Sequence, residues 1–272
     1  MKRAFVYLVA LASTAALSLA AQADTKKLQD AIAGKHRTPA YVERDGHRHP
    51  LQTLELFDIQ PGHTVVEVWP GGGWYTEILA PYLRDDGKLI AAHYDSSDTQ
   101  ASYRPGSRER FEKKLAENKR VYGKVEVASL MFDEKKGSVA IGAANPGSVD
   151  RVVTFRNAHG MVASGIDGAA FAHFFEILKP GGKLGIVQHM ADREQDWMSR
   201  NIGYVGRDYI IARATEAGFQ LEAEGFQPDS EMWDVAIIGA GPAGMGAALV
   251  AIQKGLRYIM FDQDDFGGAI RK

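Results

Sequence analysis

The stretch from Thr64 to Asp95 limits the fold more than any other part of the chain. Thr64-Val-Val-Glu-Val68 is a short β-branched run and Pro70-Gly-Gly-Gly73 a glycine turn. Tyr75, Ile78, Leu79 and Tyr82 then recur at i, i+3, i+4 and i+7, one stripe of a helix. Asp86-Gly87 breaks that helix, and Lys88-Leu-Ile-Ala-Ala-His-Tyr94 is a second apolar run ending at Asp95. Strand, turn, helix and strand make a βαβ unit, whose crossover implies a parallel sheet.

The alternation continues downstream. A charged helix is expected around Arg108 to Lys119 with Phe111 and Leu115 facing inward, then a strand from Val125 to Phe132, a small-residue loop from Gly137 to Gly147, and a strand from Asp150 to Phe155. Phe171, Phe174, Ile177 and Leu178 stripe a further helix, which Lys179-Pro-Gly-Gly182 ends. Lys183 to Gln188 reads as a strand, Asp208 to Ala217 as a helix closed by Gly218, and Phe219 to Ala223 as the sixth strand. The fold class is therefore α/β, a Rossmann-like, doubly wound, mostly parallel sheet, with ligands expected at the carboxyl ends of its strands.

Composition narrows the partners. With 32 Lys plus Arg against 34 Asp plus Glu, the formal charge of -2 gives no basic excess for nucleic acid, and a small molecule is the expected ligand. The absence of cysteine excludes thiolate zinc sites, thiol nucleophiles and intrachain CxxC redox centres. His47 and His49 would share one face of a strand, yet no third ligand stands near them, so no metal is expected. Lys2 and Arg3, an uncharged run from Phe5 to Ala20 and Ala21-Gln22-Ala23 read as an export signal cleaved after Ala23. The product would start at Asp24, carry a charge of -4 after loss of two basic residues, and reside in the periplasm or outside the cell with no membrane attachment. Residues 24–60 are expected to form a helical segment ahead of a domain spanning 61–226.

Candidate chemistry falls in the loops after strands. Glu67 ends the first strand, and Gly71 and Gly73 allow a ligand to approach backbone closely. The helix that follows offers free N–H groups suited to an anion. Asp95, at the tip of the second strand, suits a ribose diol. His159 is the first candidate for a general base and His189 the second, and Arg156 and Arg193 are cations able to neutralise an acidic substrate.

The run Val65-Val-Glu-Val-Trp-Pro-Gly-Gly-Gly-Trp-Tyr-Thr-Glu77 resembles class I S-adenosylmethionine (SAM)-dependent methyltransferases of an exported branch. Arg44-Asp-Gly-His-Arg-His-Pro50, Thr154-Phe-Arg-Asn-Ala-His159, Leu178-Lys-Pro-Gly-Gly182 and Gly206-Arg-Asp-Tyr209 support the likeness, which covers roughly residues 25–226. It implies SAM as cofactor. Glu67, Gly71 and Gly73 would line its methionine and ribose part, Asp95 the ribose hydroxyls and Asp133 the adenine, while Asn157 and His159 would face the transferred methyl group. Trp69 stands where the family has the first glycine of its loop. An indole side chain is expected at negative φ, so the loop is expected to depart from the family's shape.

Residues 232–272 carry a second motif. Asp234-Val-Ala-Ile-Ile238 leads into Gly239-x-Gly241-x-x-Gly244, and Asp262 closes a dinucleotide-binding fingerprint resembling the start of thioredoxin-reductase-like flavoproteins. One appended, incomplete βαβ unit has too little core to enclose a flavin, so bound FAD or NAD(P) is not expected. The alternative to an exported methyltransferase is a non-catalytic nucleotide-binding protein or a fusion fragment of an oxidoreductase. Class I sheets place a seventh strand antiparallel between the fifth and sixth, and Val235 to Ile238 is expected to fill that slot.

Overall fold

A computed structural model describes residues 22–98, 102–191, 203–226, 233–238 and 259–262. The export signal, apart from residues 22 and 23, lies outside the described residues, as do Gly239, Gly241, Gly244 and Arg193.

The first βαβ unit forms as its pattern requires: β1 (Thr64–Val68), a helix over Thr76–Leu83, and β2 (Lys88–Tyr94). β3 (Glu126–Asp133) pairs parallel with β2, and β5 (Val149–Phe155) pairs parallel with β1 and with β6 (Leu178–Met190). β8 (Gln220–Phe226) is the sixth strand of the main series, and β9 (Trp233–Ile238) lies antiparallel between β6 and β8, with Leu184 opposite Ile238 and Ile186 opposite Ala236. The expected seventh-strand slot is thus filled. β10 (Ile259–Asp262) pairs with β8 at the sheet's edge and meets β9 and β6 as well. The central order is β3-β2-β1-β5-β6-β9-β8, parallel except for β9, a Rossmann-like α/β sheet.

Two expectations are corrected. The loop placed over Gly137 to Gly147 contains β4 (Ser138–Ile141), antiparallel to β3. Val139 and Ile141 alternate inward into the core while Ser138 and Ala140 stay exposed, a period-two signal too short to stand out among small residues. His47 lies in a one-turn helix, Asp45–Arg48, and His49 follows it, so the two imidazoles do not share a strand face; no metal-binding cluster occurs among the described residues.

Strands covered on both faces read as continuous apolar runs. Val66, Val68, Ile90 and Ala92 point into a core with Phe171, Phe174 and Ile177, whereas Val65, Leu89 and Ala91 point into a second core with Ile78, Leu79 and Phe111. The N-terminal segment supplies part of the second core: helix α1 (22–32) buries Leu28, and the helix Pro50–Leu56 buries Leu54 and leads to buried Phe57. Gly185 in β6 permits that docking. A Cβ there would lie 2.5 Å from the Phe57 ring, so Gly185→Ala is expected to destabilise by roughly 1–3 kcal/mol in urea unfolding. A variant as stable as wild type would show that Phe57, at the end of the Pro50–Leu56 helix, does not seat on β6. No helix among the described residues is long and apolar enough to cross a membrane.

Candidate functional site

Glu67 shares the face of Val65, toward the N-terminal segment, because strand residues alternate. Its carboxylate accepts from the Thr76 hydroxyl at 2.6 Å and from the Thr76 N–H. The start of the helix therefore uses Glu67 as its own cap, and its free N–H groups are not all left for a ligand. Burial pushes the Glu67 carboxyl up to about 7 against the opposing effect of the Thr76 bonds.

The loop that follows carries three left-handed residues in alternation: Trp69 at φ 48°, Gly71 at 58° and Gly73 at 81°. The expectation of negative φ at Trp69 is therefore corrected, and the loop keeps the shape that three glycines would give. A left-handed conformation at a residue with a Cβ costs roughly 1–2 kcal/mol. Two contacts offset it. The left-handed turn breaks strand alternation, so Trp69 enters the same core as Val68 and packs on Tyr94 at 5.0 Å between ring centroids. The Asn157 amide donates to the carbonyls of Val68 at 3.1 Å and Trp69 at 3.0 Å, tying the exit of β5 to the exit of β1. A Cβ on Gly71 would meet nothing within 4 Å, whereas one on Gly73 would lie 3.0 Å from Phe111. Gly71 therefore faces open space, and Gly73 is required by packing.

That space is a cavity of about 260 Å³. It is lined by Glu67, Trp69, Pro70, Gly71 and Gly72 from β1 and its loop, by Tyr41, Arg44 and Arg48 from the N-terminal segment, and by Trp74, Tyr75, Phe155 and Asn157. The roof is fastened locally. Tyr41 donates through its hydroxyl to the Gly72 carbonyl at 3.1 Å, and the Trp74 indole N–H donates to the Tyr41 carbonyl at 3.0 Å. Thr38 donates to the buried Glu77 carboxylate through its N–H at 2.9 Å and its hydroxyl at 2.6 Å. Tyr75 stacks on Phe155 with centroids 3.5 Å apart. Arg48 lies over the Trp74 ring at 4.6 Å, and burial brings its guanidinium down to about 10.

Of the residues picked from sequence, the cavity gathers Glu67, Gly71 and Asn157. Gly73 sits behind the loop. Asp95 stands at the tip of β2, held near 2 by hydrogen bonds from Ser97 and Ser129. Asp133 is farther out: in the pairing register Val68, Ala92 and Ala128 are level, and Asp133 lies five residues beyond Ala128, where it accepts from the N–H groups of Lys135 and Lys136 at the start of the β3–β4 turn. His159, in the helix Ala158–Ala163, places Nδ1 3.4 Å from Gln188 Oε1. Burial lowers its pKa, as it does that of His189, which falls to about 4.

Sequence reasoning gave no role to Tyr41, Arg44, Arg48, Trp74, Tyr75 or Phe155. Arg44 and Arg48 are four apart, a helical spacing that puts both on one side, but only the packing of the segment over the loop shows what they face.

No protein-family model matches the chain, and no curated protein does. Among solved structures, the pyocyanin biosynthetic protein PhzM aligns with a TM-score of 0.50 at 12% identity, over 72% of this chain and 56% of its own. A SAM-dependent methyltransferase from Aquifex aeolicus aligns at 0.48 and 18% identity, over 72% of this chain and 89% of its own. An arsenic(III) SAM methyltransferase from Chlamydomonas reinhardtii aligns at 0.47 and 16%, over 77% and 65%. At these identities the comparison bears on the fold, a Rossmann-like α/β sheet, and on nothing finer.

Proposed function

We propose that the chain is an exported SAM-dependent methyltransferase acting on a small molecule. One observation carries the reading: the alternating left-handed residues Trp69, Gly71 and Gly73, directly after a strand with a buried carboxyl near its end, shape a loop that turns Gly71 toward the cavity with no side chain in between. The residues present fit the cofactor. Glu67 and Gly71 would line its methionine and ribose part, with Gly73 shaping the loop from behind, Asp95 would meet its ribose hydroxyls, and Asp133 would be the outermost residue at the adenine end. Bound there, SAM supplies an electrophilic methyl group. Export rests on the sequence of residues 1–23.

Catalysis by this chain is then alignment and proton handling. Asn157 is a positioning residue, because its amide hydrogens are committed to the exit of β1; its Oδ1 is the atom left to meet a ligand. Gln188 donates to the Gly203 carbonyl at 2.7 Å, which turns its Oε1 toward His159. With that oxygen beside Nδ1, His159, which stands just outside the residues lining the cavity, would keep its proton there and leave Nε2 as the base, and burial favours the neutral ring.

Calorimetric titration with SAM, S-adenosylhomocysteine (SAH), FAD and NADPH tests the proposal. The first two are expected to bind and the last two not to. Binding of FAD or NADPH alone would favour the oxidoreductase-fragment reading of residues 232–272.

A further inference from the structure

In and beside the cavity lies more positive charge than the described acids balance. Arg44 and Arg48 line the cavity, and Arg156 stands at the exit of β5, next to Asn157. Among the described residues none of these three side chains forms an ion pair, and the Arg156 Nε is buried without a hydrogen-bond partner. Arg37 and Arg104 also leave Nε without a hydrogen-bond partner, but each is matched by an acid: Arg37 makes a two-pronged contact with Asp45 at 2.6 and 2.9 Å, and Arg104 meets Asp98 at 2.9 Å. The one acid in the cavity, Glu67, is engaged by Thr76 and pushed toward its neutral form.

Backbone geometry reinforces the placement. Arg156 has φ 63°, left-handed without being glycine, and its N–H donates to the Val187 carbonyl at 2.6 Å. A strained residue held in place at a strand exit marks a position where the side chain's direction matters. Burial is the main cause that lowers the pKa of Arg48 and of His189, and the neighbouring guanidiniums add to it: Arg44 and Arg156 for Arg48, Arg156 and Arg48 for His189. Flat rings share the lining, with Trp74 under Arg48 and Tyr75 stacked on Phe155.

We infer that the arginine wall, Arg44 with Arg48 and Arg156, binds the carboxylate of a small aromatic acid, which is the molecule to be methylated. The planar guanidinium fork suits a carboxylate, and the ring-lined cavity suits a flat apolar body. The inference rests on the methyltransferase reading for the acceptor's role, but the anion site itself does not.

The same carboxylate chemistry is present in the amino-acid end of SAM, so the test separates the two sources. Benzoate, 4-hydroxybenzoate and phenylacetate, each paired with its neutral amide, are titrated by calorimetry into the full protein with and without saturating SAH. At least one acid is expected to bind tenfold or more tightly than its amide, and that preference is expected to fall below threefold in Arg48→Gln and in Arg156→Gln. Equal affinity for every acid and its amide, no binding by any of the six, or a preference that survives both substitutions would overturn the inference. A tenfold loss of SAH affinity in the arginine variants would overturn it too, by assigning the wall to the cofactor's own carboxylate. If SAH fails to bind the wild type while the acid preference holds, the methyltransferase reading fails and the anion site stands.

Discussion

Glu67→Gln is expected to change the pH dependence of stability by about 2.5 kcal/mol between pH 5 and pH 8. Burial raises the Glu67 carboxyl from its ordinary 4.5 to about 7 in the folded protein. A folded value above the unfolded one means that the folded state holds the proton more tightly. The stabilisation is therefore complete below pH 4.5 and lost as pH rises through 7. Glutamine mimics the protonated acid and still accepts from Thr76, so wild type and variant should match near pH 5, while the variant is the more stable at pH 8. The difference between the two proteins is the quantity to read. His63, His93 and His189 are each lowered to about 4 by burial, and they destabilise both proteins as pH falls below 6.5. Urea unfolding at pH 5, 6, 7 and 8 measures it, and a difference that stays constant over that range contradicts a buried, titrating Glu67.

Asp58→Asn should destabilise by about 3 kcal/mol, the scale expected when one partner of a buried ion pair is removed. Asp58 Oδ2 lies 2.6 Å from Arg151 Nη2 and 3.4 Å from Lys183 Nζ, and both cations are buried beneath the amino ends of β5 and β6. Asparagine keeps the size of the side chain and tolerates the φ of 50° found at this position, so the change isolates the charge. Because the network lies at the opposite end of the strands from the cavity, SAH affinity measured well below the new melting point should be unaltered. A loss of under 0.5 kcal/mol, typical of a surface substitution, would show that the carboxylate is not needed by its two partners.

The main sheet was legible because its strands, covered on both faces, are written as unbroken apolar runs between glycine and proline punctuation, as in Thr64–Val68 and Lys88–Tyr94. The strand Val235 to Ile238 could be placed for a related reason: an all-apolar run demands cover, and the gap beside β6 supplies it. Trp69 misled because local sterics favour negative φ for an indole, while the deciding contacts come from Tyr94 and Asn157, one strand away on either side. Arg156 was singled out as a cation for an acidic substrate, but its two companions in the arginine wall, Arg44 and Arg48, were hidden for the opposite reason. Their sequence, Arg44-Asp-Gly-His-Arg48, is ordinary surface composition, and only docking of the N-terminal segment over the loop turns them toward a cavity. Asn157 was singled out, but as a residue facing the reaction; its two bonds to the carbonyls of Val68 and Trp69 make it a peg for the loop.

The central claim is that the left-handed loop after β1 carries SAM. The most direct measurement is SAH affinity by calorimetry in wild type and Gly71→Val, with far-ultraviolet circular dichroism as the check on folding. A Cβ at Gly71 meets no protein atom within 4 Å, so the valine side chain occupies ligand space and not the core. The backbone there, at φ 58°, adds strain of roughly 1–3 kcal/mol but leaves the sheet intact. The account predicts measurable SAH binding by wild type, a loss of at least a hundredfold in Gly71→Val, and nearly superimposable spectra. Unaltered affinity in a folded Gly71→Val protein, or no SAH binding by the wild type, would contradict it.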